Sequence, residues 1–203
     1  MNTRQFHKLP KKFYQKNVLE IARKLTGKYL VKKEGQKFLA GKIVEVEAYA
    51  DKIDEASHSF RGITKRNQLM FATGGKMYVY FIYGNHFCCN VVCDKAGSGS
   101  AVLIRALEPL QGIEVMAERR FHKSEITEKE FLNLTNGPGK LCKAFNISKD
   151  ENGIDLCGDD IFLTEGEKVL RKNILQSNRI GIKKSKELPW RFHLKDNPFV
   201  SAK

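Results

Sequence analysis

Residues 78–85 read Tyr-Val-Tyr-Phe-Ile-Tyr-Gly-Asn, and this run decides what kind of fold the chain can build. A strand alternates its side chains between two faces, so Tyr78, Tyr80 and Ile82 share one face while Val79 and Phe81 take the other. Gly84-Asn85 is turn grammar, which leaves Tyr83 at the tip of a hairpin whose second strand holds Cys88, Cys89 and Asn90. Two readings of the run stay open at this level. It is either an ordinary aromatic-rich strand, since rings are common in sheets, or a hairpin that offers a flat side chain as a wedge.

Outward from the hairpin, the pattern is mixed. Asn17 and Glu20 have capping-box spacing, and Val18, Ile21, Ala22 and Leu25 form an apolar stripe that stops at Gly27, which predicts an amphipathic helix. Residues 29–32 and 38–48, separated by Glu34-Gly35, read as paired strands. The polar stretch 51–67 has no period and contains Gly62; loops of that length are more often functional than idle. Residues 101–106 are an apolar strand interrupted by Arg105, and a buried arginine needs an anionic partner. Pro109 is expected to open a helix with Leu110, Ile113 and Met116 on one face, and Thr127 with Glu130 to cap a short one. Residues 136–140, Asn-Gly-Pro-Gly-Lys, lead into a helix bearing Leu141, Cys142 and Phe145. Glycines before a helix start and a lysine after it suit a phosphate, although the spacing is not that of a Walker loop and Gly-Pro is also plain loop-to-helix grammar. Short strand-like pieces are expected around 179–182, 190–192 and 199–200. No repeat or linker divides the chain, so one domain spanning 1–203 is expected.

Thirty-six Lys and Arg against 23 Asp and Glu give a net charge of +13, and the charges are scattered rather than gathered in a tail. An electropositive body points to a polyanionic partner, nucleic acid before an anionic membrane surface. The five cysteines include no Cys-x-x-Cys pair and read as reduced core residues, so neither a disulfide framework nor a metal site is expected. No apolar run reaches the roughly 20 residues of a membrane span, and residues 1–12 lack the apolar core of a signal peptide.

In the strand around residues 43–49, strict alternation puts Ile43, Glu45, Glu47 and Tyr49 on one face and Val44, Val46 and Ala48 on the other. Two carboxylates beside a tyrosine are either a solvated strand face or the acid and base of a hydrolytic site. His58, in the loop that follows, is close enough in sequence to orient or protonate a substrate. Spacing alone does not choose between Glu45 and Glu47.

The ordered series IVEVEAY at 43–49, DEASHS at 54–59, RN at 66–67, YVYFIYG at 78–84, VLIRALEP at 102–109, GPGKLC at 137–142 and RIGI at 179–182 resembles the alkyladenine (3-methyladenine) DNA glycosylases of the bacterial type. The resemblance runs nearly the whole length, to NPFVS at 197–201. It implies a single mixed α/β domain with a curved, mainly antiparallel sheet, edge helices and a protruding hairpin. It also implies a monofunctional enzyme, without metal or organic cofactor, that works as a monomer on double-stranded DNA containing damaged purines. By the same resemblance Glu47 is the general base that activates a water and Arg105 holds that water. Tyr49, His58, Tyr80 and Asn90 surround the extruded base, and Tyr83 fills the gap in the duplex. Lys140 and Arg179 are candidate phosphate contacts. A cytoplasmic, nucleoid-associated protein is expected. The chain departs from the family pattern at Lys65, where proline often precedes the Arg-Asn pair, and at Asn85, where an apolar residue is common.

Two other classes compete. A non-catalytic damage sensor would use the tyrosines as a stacking platform and Glu47 as a structural carboxylate. A hydrolase of free nucleosides would keep the carboxylate chemistry and leave the charge of +13 without a purpose.

Overall fold

The computed structural model describes residues 6–82 and 84–201. Helices α1 (Lys11–Tyr14) and α2 (Val18–Leu25) lead into β1 (Tyr29–Glu34), β2 (Lys37–Tyr49), β3 (Met77–Ile82), β4 (His86–Cys93) and β5 (Ser100–Gln111). After these come α3 (Ile113–Phe121), α4 (Glu128–Leu132), α5 (Pro138–Ala144), β6 (Ile161–Thr164), β7 (Ile174–Ser177) and β8 (Arg191–Leu194). The strands form one antiparallel sheet in the order β3-β4-β5-β2-β1-β6, with β8 joined to β2 and β7 to β8. This is the mixed, curved antiparallel architecture that the resemblance of the ordered motifs implies. Helices α2 and α5 pack against β2, β4 and β5, and β3 and β4 pair residue for residue from Met77↔Val91 to Ile82↔His86.

The curl has a local cause in β2. Its first half pairs with β1, from Glu34↔Lys37 to Tyr29↔Lys42, and its second half pairs with β8 at residues 45–47, so the edge changes partner in mid-strand. At the changeover the register with β5 runs Ile43↔Leu107, Glu45↔Ala106, Val46↔Ile104, leaving Val44 and Arg105 without opposite numbers. A bulge of this kind bends the strand and re-aims side chains. It also corrects the strict alternation expected for residues 43–49. Ile43 packs in the main core with Val46 and Ala48, while Val44 joins a separate cluster with Ala106, Leu194 and Phe199. Glu45, Glu47 and Tyr49 therefore share a face without Ile43.

Other local expectations divide by what the neighbours supply. α2 buries Val18, Ile21, Ala22 and Leu25 as its stripe requires, and Asn17 caps it by accepting the Leu19 N–H at 2.9 Å. The return bond from Glu20 is missing because its carboxylate is taken by Lys16 and Lys24 one turn away on either side. Thr127 and Glu130 do form the reciprocal box. Pro109 opens no helix. It continues β5 opposite Gly41 at a second register shift, where its missing N–H costs no ladder bond, and the chain turns only at Gly112. That residue has φ 78°, and a Cβ there would lie 2.3 Å from Leu39 Cδ2, so only glycine fits. Residues 179–182 and 199–200 are irregular rather than extended, and the short β6 and β7 escape the periodicity because four residues are too few to show one.

Candidate active site

The second half of β2 and the middle of β5 lie at the base of a cavity of about 470 Å³ whose opposite walls come from β3, β4, the 51–67 loop and α5. Glu45 and Glu47 are both completely buried, and Arg105 sits between them. Its Nε donates to Glu45 Oε1 at 3.1 Å and its Nη1 to Glu47 Oε2 at 3.3 Å, so the arginine in the apolar strand has two anionic partners.

A carboxylate offers about four acceptor positions, and the origin of the donors that fill them tells the two apart. On Glu45, Oε1 takes Arg105 and the Nε of Arg191 at 2.7 Å, and the backbone N–H of Ser201 reaches Oε2 at 2.7 Å. On Glu47, Oε2 takes Arg105 and the Tyr49 hydroxyl at 2.8 Å, whereas Oε1 takes only the Ile180 N–H at 2.7 Å. Among the described residues three donors reach each carboxylate, but Arg191 and Ser201, which hold Glu45, do not line the cavity. The three donors to Glu47 all line the cavity. Burial by itself would push the Glu45 carboxyl up, but Arg105, Ser201 and Arg191 together outweigh it and hold the group below the ordinary glutamate value.

Tyr78, Tyr80 and His58 make the aromatic wall. The His58 ring meets Tyr80 edge-on with centroids 4.6 Å apart, and its Nδ1 lies 3.1 Å from the Tyr78 hydroxyl. Burial, assisted by the charge of Arg66, pushes the imidazole below 6.5 and favours the neutral ring. Burial drives the hydroxyls of Tyr49 and Tyr80 upward, so both remain protonated; Tyr49 is pushed further by the charge of Glu47. Asn90 stands at the floor with its Nδ2 donating to the Tyr78 carbonyl at 3.0 Å. A carbonyl can only accept, so this bond fixes which way the amide points.

The long loop is held rigidly by two buried clamps. Asn67 donates to the carbonyls of His58 and Gly62 at 2.7 and 2.9 Å and accepts the Thr64 N–H at 2.6 Å, which carries His58 to the wall. Asp54, fully buried, receives Arg179 in a two-pronged pair at 2.6 and 2.7 Å. The same guanidinium lies 4.6 Å from the Tyr49 ring and 5.4 Å from that of Trp190.

Lys140 lies on the far wall, where its Nζ donates to Asn136 Oδ1 at 2.7 Å and Asn133 Oδ1 at 3.1 Å. Arg120 and Lys143 share that wall, and none of the three forms an ion pair among the described residues. Among those residues no group of three or more His, Cys, Asp or Glu is placed to hold a metal ion, and the five cysteines are free. No described helix is long and apolar enough to cross a membrane.

The sequence profile of the methylpurine-DNA glycosylases matches residues 12–198. The chain belongs to this family. Three relatives, each named "Putative 3-methyladenine DNA glycosylase", support the assignment. One from Alkaliphilus oremlandii is 48% identical over 202 residues, covering 97% of this chain and 100% of the relative. One from Clostridium tetani is 46% identical over 202 residues with the same coverage. One from Desulfitobacterium hafniense is 45% identical over 203 residues, covering 97% of this chain and 99% of the relative.

In this member of the methylpurine-DNA glycosylase family the residues singled out from the sequence do not all fall where expected. Tyr49, His58, Tyr80, Asn90 and Arg105 converge on one cavity, with Glu47 directly beneath its wall. Lys140 reaches the same cavity. Arg179 does not present itself to a phosphate: its side chain is wholly buried, with Asp54 and the carbonyls of Ala48 and Ser185 taking its Nη atoms. It is a clamp instead. Tyr83 lies outside the described residues. Sequence reasoning missed Tyr78, the Ile180 N–H, and the Asp54, Trp190 and Ser201 contacts. Asp54 and Ile180 stand inside the quoted DEASHS and RIGI motifs, which was the available signal.

Proposed function

We propose that the protein is a monofunctional DNA repair glycosylase that flips damaged purines out of duplex DNA and hydrolyses the N-glycosidic bond, leaving an abasic site. The substrates would be 3-methyladenine, 7-methylguanine, hypoxanthine and ethenoadenine. The observation that carries this reading is Glu47, a buried carboxylate whose described donors, Tyr49, Arg105 and Ile180, all line a cavity walled by aromatic rings.

Glu47 would accept a proton from a water as that water attacks the anomeric carbon, and its charge would stabilise the oxocarbenium character developing at the sugar. Arg105 and the Tyr49 hydroxyl both hold Glu47 Oε2, which would leave Oε1 to meet the water. The extruded base would stack against Tyr49 and Tyr80, with His58 and Asn90 meeting its edges. Tyr83 would fill the vacated position in the stack, offsetting lost stacking as wedges do in other minor-groove binders. Lys140, joined by Arg120 and Lys143, would contact phosphates. A cationic base such as 3-methyladenine already leaves readily, so selectivity rests on pocket shape and on the low cost of extruding a damaged base. The enzyme would act as a monomer.

The test is release of free base from a duplex carrying one hypoxanthine or 3-methyladenine, with abasic sites revealed by hot alkali, for wild type and Glu47→Gln. Alkali-dependent cleavage by wild type and a loss of about 10²-fold or more in the variant are expected. Tight lesion binding with no release by either protein would make it a damage sensor.

A further inference from the structure

Glu45 is a fully buried carboxylate that the proposed chemistry does not use, and its surroundings are unusual. The sheet ladder gives Arg105 no opposite residue, because the β2–β5 register skips it at the same bulge that skips Val44. Something else must hold the guanidinium against Glu47. Its Nε is taken by Glu45 at 3.1 Å and its Nη2 by Ser201 Oγ at 3.4 Å, which leaves Nη1 for Glu47. Glu45 is in turn held from two further sides, by Arg191 on β8 and by the Ser201 N–H.

Ser201 arrives there by a strap of chain with its own anchors. Asn197 donates to Glu108 Oε2 at 2.8 Å and accepts the Phe199 N–H at 3.0 Å, forming a turn. Phe199 is buried, crosses Phe131 edge-on at 5.3 Å, and packs on Val44 and Ala106. Those two residues immediately precede Glu45 and follow Arg105, so the plug presses on both strands of the bulge.

We propose that Glu45 is a positioning residue for the glycosylase reaction and that the segment Asn197–Ser201 is its clamp, acting through the backbone N–H of Ser201 to set Arg105 against Glu47. The inference rests on the glycosylase reading above. Loss of the clamp leaves the base pocket intact, because none of its members stacks on or bonds the cavity's aromatic wall. It should therefore slow the chemical step without weakening lesion binding.

The experiment is single-turnover excision of hypoxanthine, lesion-duplex affinity and thermal stability for wild type, Glu45→Gln, Ser201→Pro, Ser201→Ala and Phe199→Leu. Ser201→Pro removes the N–H donor and should slow excision by about tenfold or more with little change in affinity, as small misplacements of catalytic groups do. Ser201→Ala keeps the N–H and should retain most of the rate, within about threefold, since only the 3.4 Å hydroxyl contact with Arg105 goes. Glu45→Gln should be as slow as Ser201→Pro. If Glu45→Gln does not fold, Ser201→Pro and Phe199→Leu decide. Wild-type rates in folded Ser201→Pro would overturn the proposal, and so would equal losses in Ser201→Pro and Ser201→Ala. If wild type itself releases no base, the glycosylase reading fails instead. The clamp is then judged from the Arg105 Nε–H resonance, slow to exchange in wild type and expected to lose that protection in Ser201→Pro; unchanged protection would refute it.

Discussion

Replacing Arg179 with methionine should cost stability and disturb the site together. Asp54 and Arg179 both have fully buried side chains, and their two-pronged pair at 2.6 and 2.7 Å is the main cationic compensation for the Asp54 charge. Without the guanidinium, the donors left to Asp54 among the described residues are the N–H groups of Ala50 and Ala56, at 3.4 and 3.1 Å. Removing one partner of a buried ion pair typically costs about 3–5 kcal/mol, because the remaining charge is stranded. For a chain of this size that corresponds to a fall of roughly 6–20 °C in melting temperature. Asp54→Asn keeps an acceptor for the two N–H groups and removes the stranded charge. The double variant should therefore recover about 1–3 kcal/mol relative to the sum of the single losses. Calorimetric melting of the four proteins measures this directly. Because the guanidinium also lies 4.6 Å from the Tyr49 ring and adjoins Ile180, which donates to Glu47, base release by Arg179→Met should fall even below its melting point. A drop of less than about 1 kcal/mol, the value of an exposed pair, would refute the burial argument.

Three further outcomes follow from the same geometry. The His58 imidazole should titrate below 6.5 in NMR spectra of its ring protons, because burial and Arg66 disfavour its charge. Since the unfolded chain then binds the extra proton more readily, stability should rise as pH increases through the window below 6.5, and a midpoint above 6.5 would contradict the assignment. Burial pushes the Cys88 thiol to about 11, so at pH 8 iodoacetamide should label it far more slowly in the native protein than after unfolding; equal rates would mean that the cavity floor is open. Asn67→Ala should unseat His58 by removing two donors to the loop carbonyls and one acceptor. The expected loss is about 2–4 kcal/mol, read by denaturant titration, together with weaker lesion binding, and an unaltered protein would show that the loop holds itself.

Much of the fold was legible in the chain because its signals are local. The aromatic run with Gly84-Asn85 declared the hairpin, the stripe from Val18 to Leu25 declared α2, and the apolar strand broken by Arg105 announced that a buried anion must face it. What failed was non-local. Pro109 is helix-opening grammar, yet pairing with Gly41 kept it in β5. Arg179 looks like any surface arginine of a basic protein, and only the approach of Asp54 from 125 positions away commits it to the interior.

The site divides in the same way. Residue type and spacing determined that this chain carries two carboxylates, a tyrosine and a histidine near an aromatic hairpin on a basic body. The ordered motifs identified the family to which they belong. Glu45 and Glu47 are two apart on one strand face and identical in type, so spacing left them equivalent and only the ordered motifs pointed to Glu47; the tertiary structure supplies the physical difference. Their difference lies in which donors arrive from β8, from residue 180 and from residue 201, and contacts across such distances exist only after the sheet has curled.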